Sequence, residues 1–510
     1  MKLNFISRSA RSAALLIVLA LMISALASCG VIIINKPETE PPATTVTPET
    51  STSPEQSGVV TESPETTEEP LETEAPDVET EPPKQISFPS RIEEAEERLA
   101  ALGEPIRITD FHLIYAAADN TVDVIFSDEE SPLYAARTKR NSMIEEKYSS
   151  VVRTIYEGKV TSDRLYEDVR VAVSSGNITE YYLDLLVLTP ADACKFLAKG
   201  LLKDMRSLPF YDVNLGPQGG NIGQTRYFDL GAGADAPETL YAMYFNRALV
   251  GADNAKMLYE ASLDGKMSWE LLCTVAASIS DRDADMAIKD GENTLPGELA
   301  AYLSGIEYVS KSAAGVPKIT LSDSAALEID ALIESISKLG FYTPAEGDAY
   351  ARDKFTAGKV PFYLGTLSEM LDFYDEPIEW GILTLPSDKD FGAFAENRPV
   401  LCIPATNTRL EQTSIWLTAF NAASGDWMRD QFLLVSLEKH IRDNNSCLVL
   451  NKLLSQKAEF AFERVFAGYY DGLKDATYGA AGKALTGGDK FSAVLAKNIT
   501  SINKKLAKLP

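Results

Sequence analysis

Short apolar runs alternate with longer stretches in which apolar residues recur at helical spacing. Ile106 to Ala118 contains a run that predicts a strand, and Val122 to Phe126 is a second apolar run. Leu133 to Tyr148 predicts a helix, Val151 to Tyr156 a strand and Leu165 to Ser174 a helix. Tyr181 to Leu188 is almost unbroken in its apolar character, the pattern of a parallel strand covered on both faces. Thr189-Pro190-Ala191-Asp192 turns into a helix ending at Gly200. Tyr241 to Phe245 is short, apolar and aromatic, hence a buried strand. Asn246 ends that strand with cap chemistry, and Arg247 to Ser262 predicts a helix or a broken helix. Asp264-Gly265-Lys266 is turn chemistry, Ser268 is an N-cap, and Trp269 opens the next helix. Further on, Leu299 to Val309 predicts a helix and Lys318 to Leu321 a short strand. Ser322 to Leu339 reads as a long amphipathic helix with Leu327, Leu332, Ile336 and Leu339 as its apolar stripe. Phe355 to Leu364 is a helix end followed by a strand, Ile378 to Pro386 a strand run, and Val400 to Pro404 another. From Leu410 onward the pattern is mainly helical. Strands alternating with helices argue for an α/β protein.

The N-terminal stretch changes the picture. Lys2, Arg8 and Arg11 precede an apolar run, Ala13 to Ala27, broken only by Ser24. That run is short for a membrane span and suits a secretory leader. It ends in Leu26-Ala27-Ser28-Cys29-Gly30, which resembles a bacterial lipobox, so Cys29 is the expected lipidation site of a leader spanning residues 1–28. Residues 29–90 are the expected tether: Lys36 to about Pro89 is Thr-, Pro-, Glu- and Ser-rich with almost no large apolar residue, the composition of a disordered segment. Thirteen acids between Glu38 and Glu81 account for about half of the net charge of −26. No basic stripe stands against this acidity, so nucleic acid is not an expected partner. The remaining length is enough for two domains.

Several short motifs, in order, carry a resemblance. Lys139 to Tyr148 leads into a strand, followed by Asp184-Leu185-Leu186-Val187 and then by Leu197 to Asp204. Tyr244-Phe245-Asn246 with Gly265-Lys266 and Trp269 is similar to a "YFN … GKWTW" region, with Met267-Ser268 in place of the usual residues. Gly358-Lys359-Val360-Pro361-Phe362 and Trp380-Gly381-Ile382-Leu383-Thr384-Leu385-Pro386 are similar to a "GKv.f" and "WGiL.LP" pair. Arg442-Asp443-Asn444-Asn445-Ser446 resembles an "RD..S" step. Over about residues 105–505 the chain thus resembles the extracellular solute-binding lipoproteins of bacterial ABC transporters, carbohydrate type, family 1-like, of a clostridial-type branch. The resemblance implies a two-lobed, periplasmic-binding-protein-like α/β fold of type II with a helical C-terminal part. Residues 91–240 form its first lobe and 241–400 its second. A crossing segment and C-terminal helices in 401–510 pack on both lobes. It also implies a monomer anchored by lipid to the outer face of the cell membrane of a Gram-positive-type cell, capturing a sugar or oligosaccharide for a permease.

The chemistry of the residues agrees with binding rather than turnover. Only His112 and His440 are present, with no metal-ligand spacing, no P-loop and no nucleophile elbow, so neither cofactor nor metal is expected. Gly216 to Gly223 reads as an exposed loop. Cys194, Cys273, Cys402 and Cys447 stand at apolar positions and read as small buried hydrophobes, with a disulfide left open by the compartment. By position past strand ends, Asp119, Asn120, Thr189 and Asp192 are candidate cleft residues of the first lobe. Tyr244, Trp269, Tyr363 and Trp380 are candidates of the second, where aromatic faces would cover a sugar. Tyr244 and Trp269 also fit a core, and Asp192 also fits a helix cap. Sensing or scavenging without transport, attachment to a polymer, and a glycan-active enzyme are the alternative functions.

Overall fold

The computed structural model describes residues 91–508 apart from 104–110, 157–159, 177–181, 212–220, 223–224, 290–292, 314, 342–350, 374–375, 388–392, 396–397, 440, 457–465 and 467–471. The expected leader, Cys29 and the tether lie outside the described residues, as do His440 and most of Gly216 to Gly223.

Twelve strands are present among these residues. They are β1 (His112–Ala117), β2 (Val151–Thr154), β3 (Leu185–Leu188), β4 (Asn221–Ile222), β5 (Thr225–Arg226) and β6 (Tyr241–Asn246). Then come β7 (Met286–Ile288), β8 (Val309–Lys311), β9 (Pro317–Ile319), β10 (Phe362–Thr366), β11 (Trp380–Leu383) and β12 (Val400–Cys402). β4 with β5, and β8 with β9, are small hairpins. The other eight make two four-stranded sheets.

The first sheet runs β2-β1-β3-β12. β1, β2 and β3 are parallel, and β12 is antiparallel to β3. Beyond β12 the sheet is extended by an antiparallel bridge between Asp229 and Leu401. The second sheet runs β7-β10-β6-β11. β7 and β10 are parallel, while β6 is antiparallel to both β10 and β11. A parallel bridge from Met286 to Phe341 extends it beyond β7. Taking the parallel strands of each half in chain order, both halves read second, first, third, antiparallel strand, fourth. In each half the antiparallel strand is brought by the chain as it arrives from the other half. β6 follows Asp229, and β12 follows β11.

The two crossing segments meet between the sheets. Leu240 and Ala395 form an antiparallel bridge, and the Tyr241 amide donates to the Phe394 carbonyl at 2.8 Å. The helix Leu410–Ala423 packs on Ile92–Ala101 and Tyr134–Tyr148 of the first half, whereas Asn444–Ser455 packs on β11 and Ala252–Asp264 of the second. The C-terminal part therefore touches both halves. Its Asn421 accepts from the Gly233 amide at 2.8 Å and donates to Asp229 at 2.7 Å, fixing the first crossing.

Local sequence signals explain most elements. Thr161, Thr189, Asn246, Ser268, Ser322 and Asp443 each cap a helix by accepting from an amide three residues on. Two expectations are corrected. The helix expected over Leu299 to Val309 is Leu295–Leu303, and Val309 belongs to β8. Pro296 stands in its first turn, and Gly305, at φ +65°, takes the chain out of it. In the helix Asp323–Ile336 the buried stripe is Ala326, Ile329, Ile333 and Ile336, while Leu327 is 60% exposed.

Candidate functional site

Ligands of open α/β sheets bind outside the carboxyl ends of the strands, where the strand order reverses. In the first half that point is the end of β1, which has β2 on one side and β3 on the other. A cavity of about 430 Å³ lies there. Its walls come from the ends of β1 and β2, from the loop after β1, from Arg137 on the helix Tyr134–Tyr148, and from Glu238 on the first crossing segment.

The loop after β1 is shaped by one carboxylate. Asp123 accepts from the Ile125 amide at 2.9 Å and the Phe126 amide at 3.2 Å through one oxygen. Its other oxygen accepts from the Tyr115 hydroxyl at 2.6 Å. Burial, and then the charge of Asp123, push the Tyr115 hydroxyl far above its usual range, so it stays a donor. The turn leaves Phe126 at the cavity wall, 42% exposed, with its ring centroid 6.1 Å from that of Tyr115. Tyr156 contributes a third ring and donates its hydroxyl to Asp168 at 2.8 Å. An aromatic wall beside polar side chains is the mixture that holds a solute with apolar faces and hydroxyl edges.

Arg137 is 2% exposed. It donates to Ser127 Oγ and to Glu238 Oε1, each at 2.6 Å. The pair joins a first-half helix to the first crossing segment. The turn carrying Glu238, Pro237–Thr239, packs against Leu367–Leu371 of the second half. At that edge, after β7 and β10, Lys289 donates to Thr366 Oγ1 at 3.1 Å and stands 3.2 Å from Glu369.

The residues expected at the cleft divide by half. Asn120, Thr189 and Asp192 come together: Asp192 accepts from Asn120 at 2.8 Å and from the Thr189 hydroxyl at 2.9 Å, and Lys195 stands 2.8 Å away. Burial alone would raise Asp192, but Lys195, Asn120, Ser162 and Thr189 outweigh it and lower its pKa. Thr189 and Asp192 spend their polar atoms on each other and on the helix cap, beside the cavity rather than in its wall. Asp119 is exposed next to them, its amide bonded to the Val160 carbonyl. The four aromatics are buried, and none of them stands in the wall of this cavity. Tyr244 (0% exposed), Tyr363 and Trp380 pack with Phe373, with centroids 5.0–6.2 Å apart, and Trp269 is buried in the same core. The reason is placement. β6 and β10 are central strands with both faces covered, and Trp380 begins β11, at the sheet end opposite the carboxyl ends. Reading by strand ends missed Thr121, Asp123, Phe126, Arg137, Tyr156 and Glu238. The one signal for the loop was Asp123 interrupting the run Val122 to Phe126, an Asx-turn residue inside an apolar stretch.

Among the described residues no group of His, Cys, Asp and Glu is arranged to hold a metal ion, and no helix is long and apolar enough to cross a membrane.

No protein-family model matches the chain, and no curated protein matches it. Solved structures do. The GacH receptor of Streptomyces glaucescens, solved unliganded and with acarbose, is 14% identical at a TM-score of 0.48, over 79% of this chain and 100% of that one. The sugar-binding protein MalE of Xanthomonas citri is 13% identical at 0.47, over 78% and 98%. UgpB of Mycobacterium tuberculosis, solved with glycerophosphocholine, is 14% identical at 0.47, over 79% and 98%. By the strand order that its two halves share, and by the antiparallel strand each receives from the other, this chain has the two-lobed, periplasmic-binding-protein-like α/β fold of type II.

Proposed function

We propose that the chain is a lipid-anchored, extracytoplasmic solute-binding protein that captures a sugar or oligosaccharide and delivers it to an ABC permease. The observation that carries this reading is the pair of like-ordered halves joined by two hydrogen-bonded crossing segments, with a cavity at the carboxyl end of the first sheet. Such a chain bends where the crossings meet. A ligand that touches both halves favours the bent, closed state by its differential contacts alone. The rings of Tyr115, Phe126 and Tyr156 beside Asp123, Arg137 and Glu238 suit a polyhydroxylated solute. The motif resemblance supports the carbohydrate class, and the lipobox-like Cys29 supports the anchor.

A thermal-shift screen of the purified chain tests this, with mono- and oligosaccharides against peptides and polyamines. A ligand present at a hundred times its dissociation constant adds about 2.7 kcal/mol, which raises the melting midpoint by a few degrees. The expected outcome is a shift confined to one sugar class, with a smaller radius of gyration in X-ray scattering. A folded protein that responds to no sugar would overturn the reading.

A further inference from the structure

Three residues of the cavity wall each hold a buried polar atom without a hydrogen-bond partner among the described residues: Thr121 Oγ1, Arg137 Nε and Glu238 Oε2. A buried donor or acceptor left unmet costs about 1–3 kcal/mol, so such atoms are normally met by protein, water or ligand. The chemistry of these three defines what meets them. Arg137 Nε can only donate, Glu238 Oε2 as a carboxylate oxygen can only accept, and the Thr121 hydroxyl does either. A carboxylate or a fully ionised phosphate has no donor for Glu238, and a protonated phosphate would bring its own negative charge against that carboxylate. An ammonium group offers nothing to Arg137. A hydroxyl serves both, accepting from one and donating to the other. The charges of Arg137 and Glu238 already cancel across their 2.6 Å contact, so the group they read needs no charge of its own.

The position of the pair adds a second role. Arg137 belongs to a first-half helix, whereas Glu238 precedes by two residues the Leu240–Ala395 bridge that joins the crossings. We propose, resting on the solute-binding reading above, that Arg137 and Glu238 together read one hydroxyl of a neutral sugar, and that Glu238 is the positioning residue through which an occupied cavity acts on the crossing segments.

The test uses the full chain in detergent, the sugar that gives the strongest thermal shift, and its monodeoxy derivatives. Glu238→Gln keeps an acceptor for Arg137 but puts an amide donor where the carboxylate oxygen was. Arg137→Lys keeps the charge and removes Nε. Each is expected to weaken binding about 10- to 100-fold by calorimetry. One monodeoxy sugar is expected to bind the wild-type protein as weakly as Glu238→Gln binds the parent sugar, with little further loss when both changes are combined. That arm uses the wild-type fold, so it stands even where a variant is unstable. At saturating sugar, Glu238→Gln is expected to compact less than wild type in X-ray scattering. Unchanged affinity in both folded variants, or additive losses in the deoxy cycle, would overturn the hydroxyl reading while leaving sugar binding in place. Full compaction of saturated Glu238→Gln would overturn the coupling role. A wild-type chain that binds no sugar at all would instead remove the reading on which both rest.

Discussion

Asp235, on the first crossing segment, takes positive charge from several sides. Burial alone would push its carboxyl up, but Arg429, Arg398 and Arg137 outweigh burial and hold it at about 2. Arg429 Nη2 donates to it at 3.0 Å, and Arg398 Nη2 stands 3.4 Å away. Burial, opposed by Asp235 and aided by Arg429, lowers Arg398 in turn. A carboxyl whose folded value lies below its unfolded value stabilises the fold above that unfolded value, near 4. The contribution, about 2 kcal/mol at neutral pH, is lost as pH falls from about 4 to about 2. Between pH 6 and pH 3, wild type is therefore expected to lose about 1 kcal/mol more unfolding free energy than Asp235→Asn in urea titrations. Equal losses would take Asp235 out of the acid response. The buried tryptophans make a different prediction. Trp269→Ala and Trp380→Ala are each expected to lower stability by about 3–5 kcal/mol in denaturant unfolding. A variant as stable as wild type would show that its ring does not belong to the core. At this scale turn and cap chemistry was legible: Asn120, Thr189 and Asp192 announce a strand end, although they are not in the cavity wall. The aromatics were not, since an aromatic residue declares size and apolarity but not which end of a strand it stands at.

Elements were legible where caps and glycines punctuate them. The strand β6, the Asn246 cap and the Ser268 cap before Trp269 stand where the residues said they would. The helix Leu295–Leu303 was misplaced because its own boundaries, Pro296 and Gly305, carried less weight than the apolar period. Leu327 misled for a related reason: one residue of phase separates it from Ala326 on the buried stripe. Within β11, Gly381 is set by a close approach that no propensity displays. A Cβ there would stand 2.2 Å from the Tyr259 hydroxyl and 2.5 Å from the Phe245 ring. That hydroxyl lies 2.9 Å from Ser446 Oγ, which accepts from the Ile382 amide at 3.1 Å, so it has little room to retreat. Gly381→Ala is expected to cost about 1–3 kcal/mol by overpacking, measured as a lower urea midpoint at unchanged slope. Gly381→Ala with a wild-type midpoint would mean that the helix Asn444–Ser455 yields instead.

Across the whole molecule, the alternation of strands and helices was enough for the fold class, and the motif order was enough for two halves. The order of strands within each sheet was not legible, because it joins residues such as Asp229 and Leu401 that no local pattern connects. The same holds for the cavity, whose walls bring Thr121 and Arg137 to Glu238 over a hundred residues apart. The gap between β3 and Asp229 is filled only by β12, which lies after the entire second half in the chain. During synthesis the first sheet stays unfinished until residue 402 has emerged, leaving β3 with a bare edge. By contrast, β6 is delivered before β7, β10 and β11, so the second sheet can grow on a strand already in place. A fragment of residues 91–250 is accordingly expected to stay protease-sensitive and to bind exposed-surface dyes, whereas the same fragment co-expressed with residues 251–510 recovers protection. Should residues 91–250 fold alone, the late strand would be a latch rather than a structural member. If they do not, the nascent chain depends on a holding factor for roughly the time taken to make the other half.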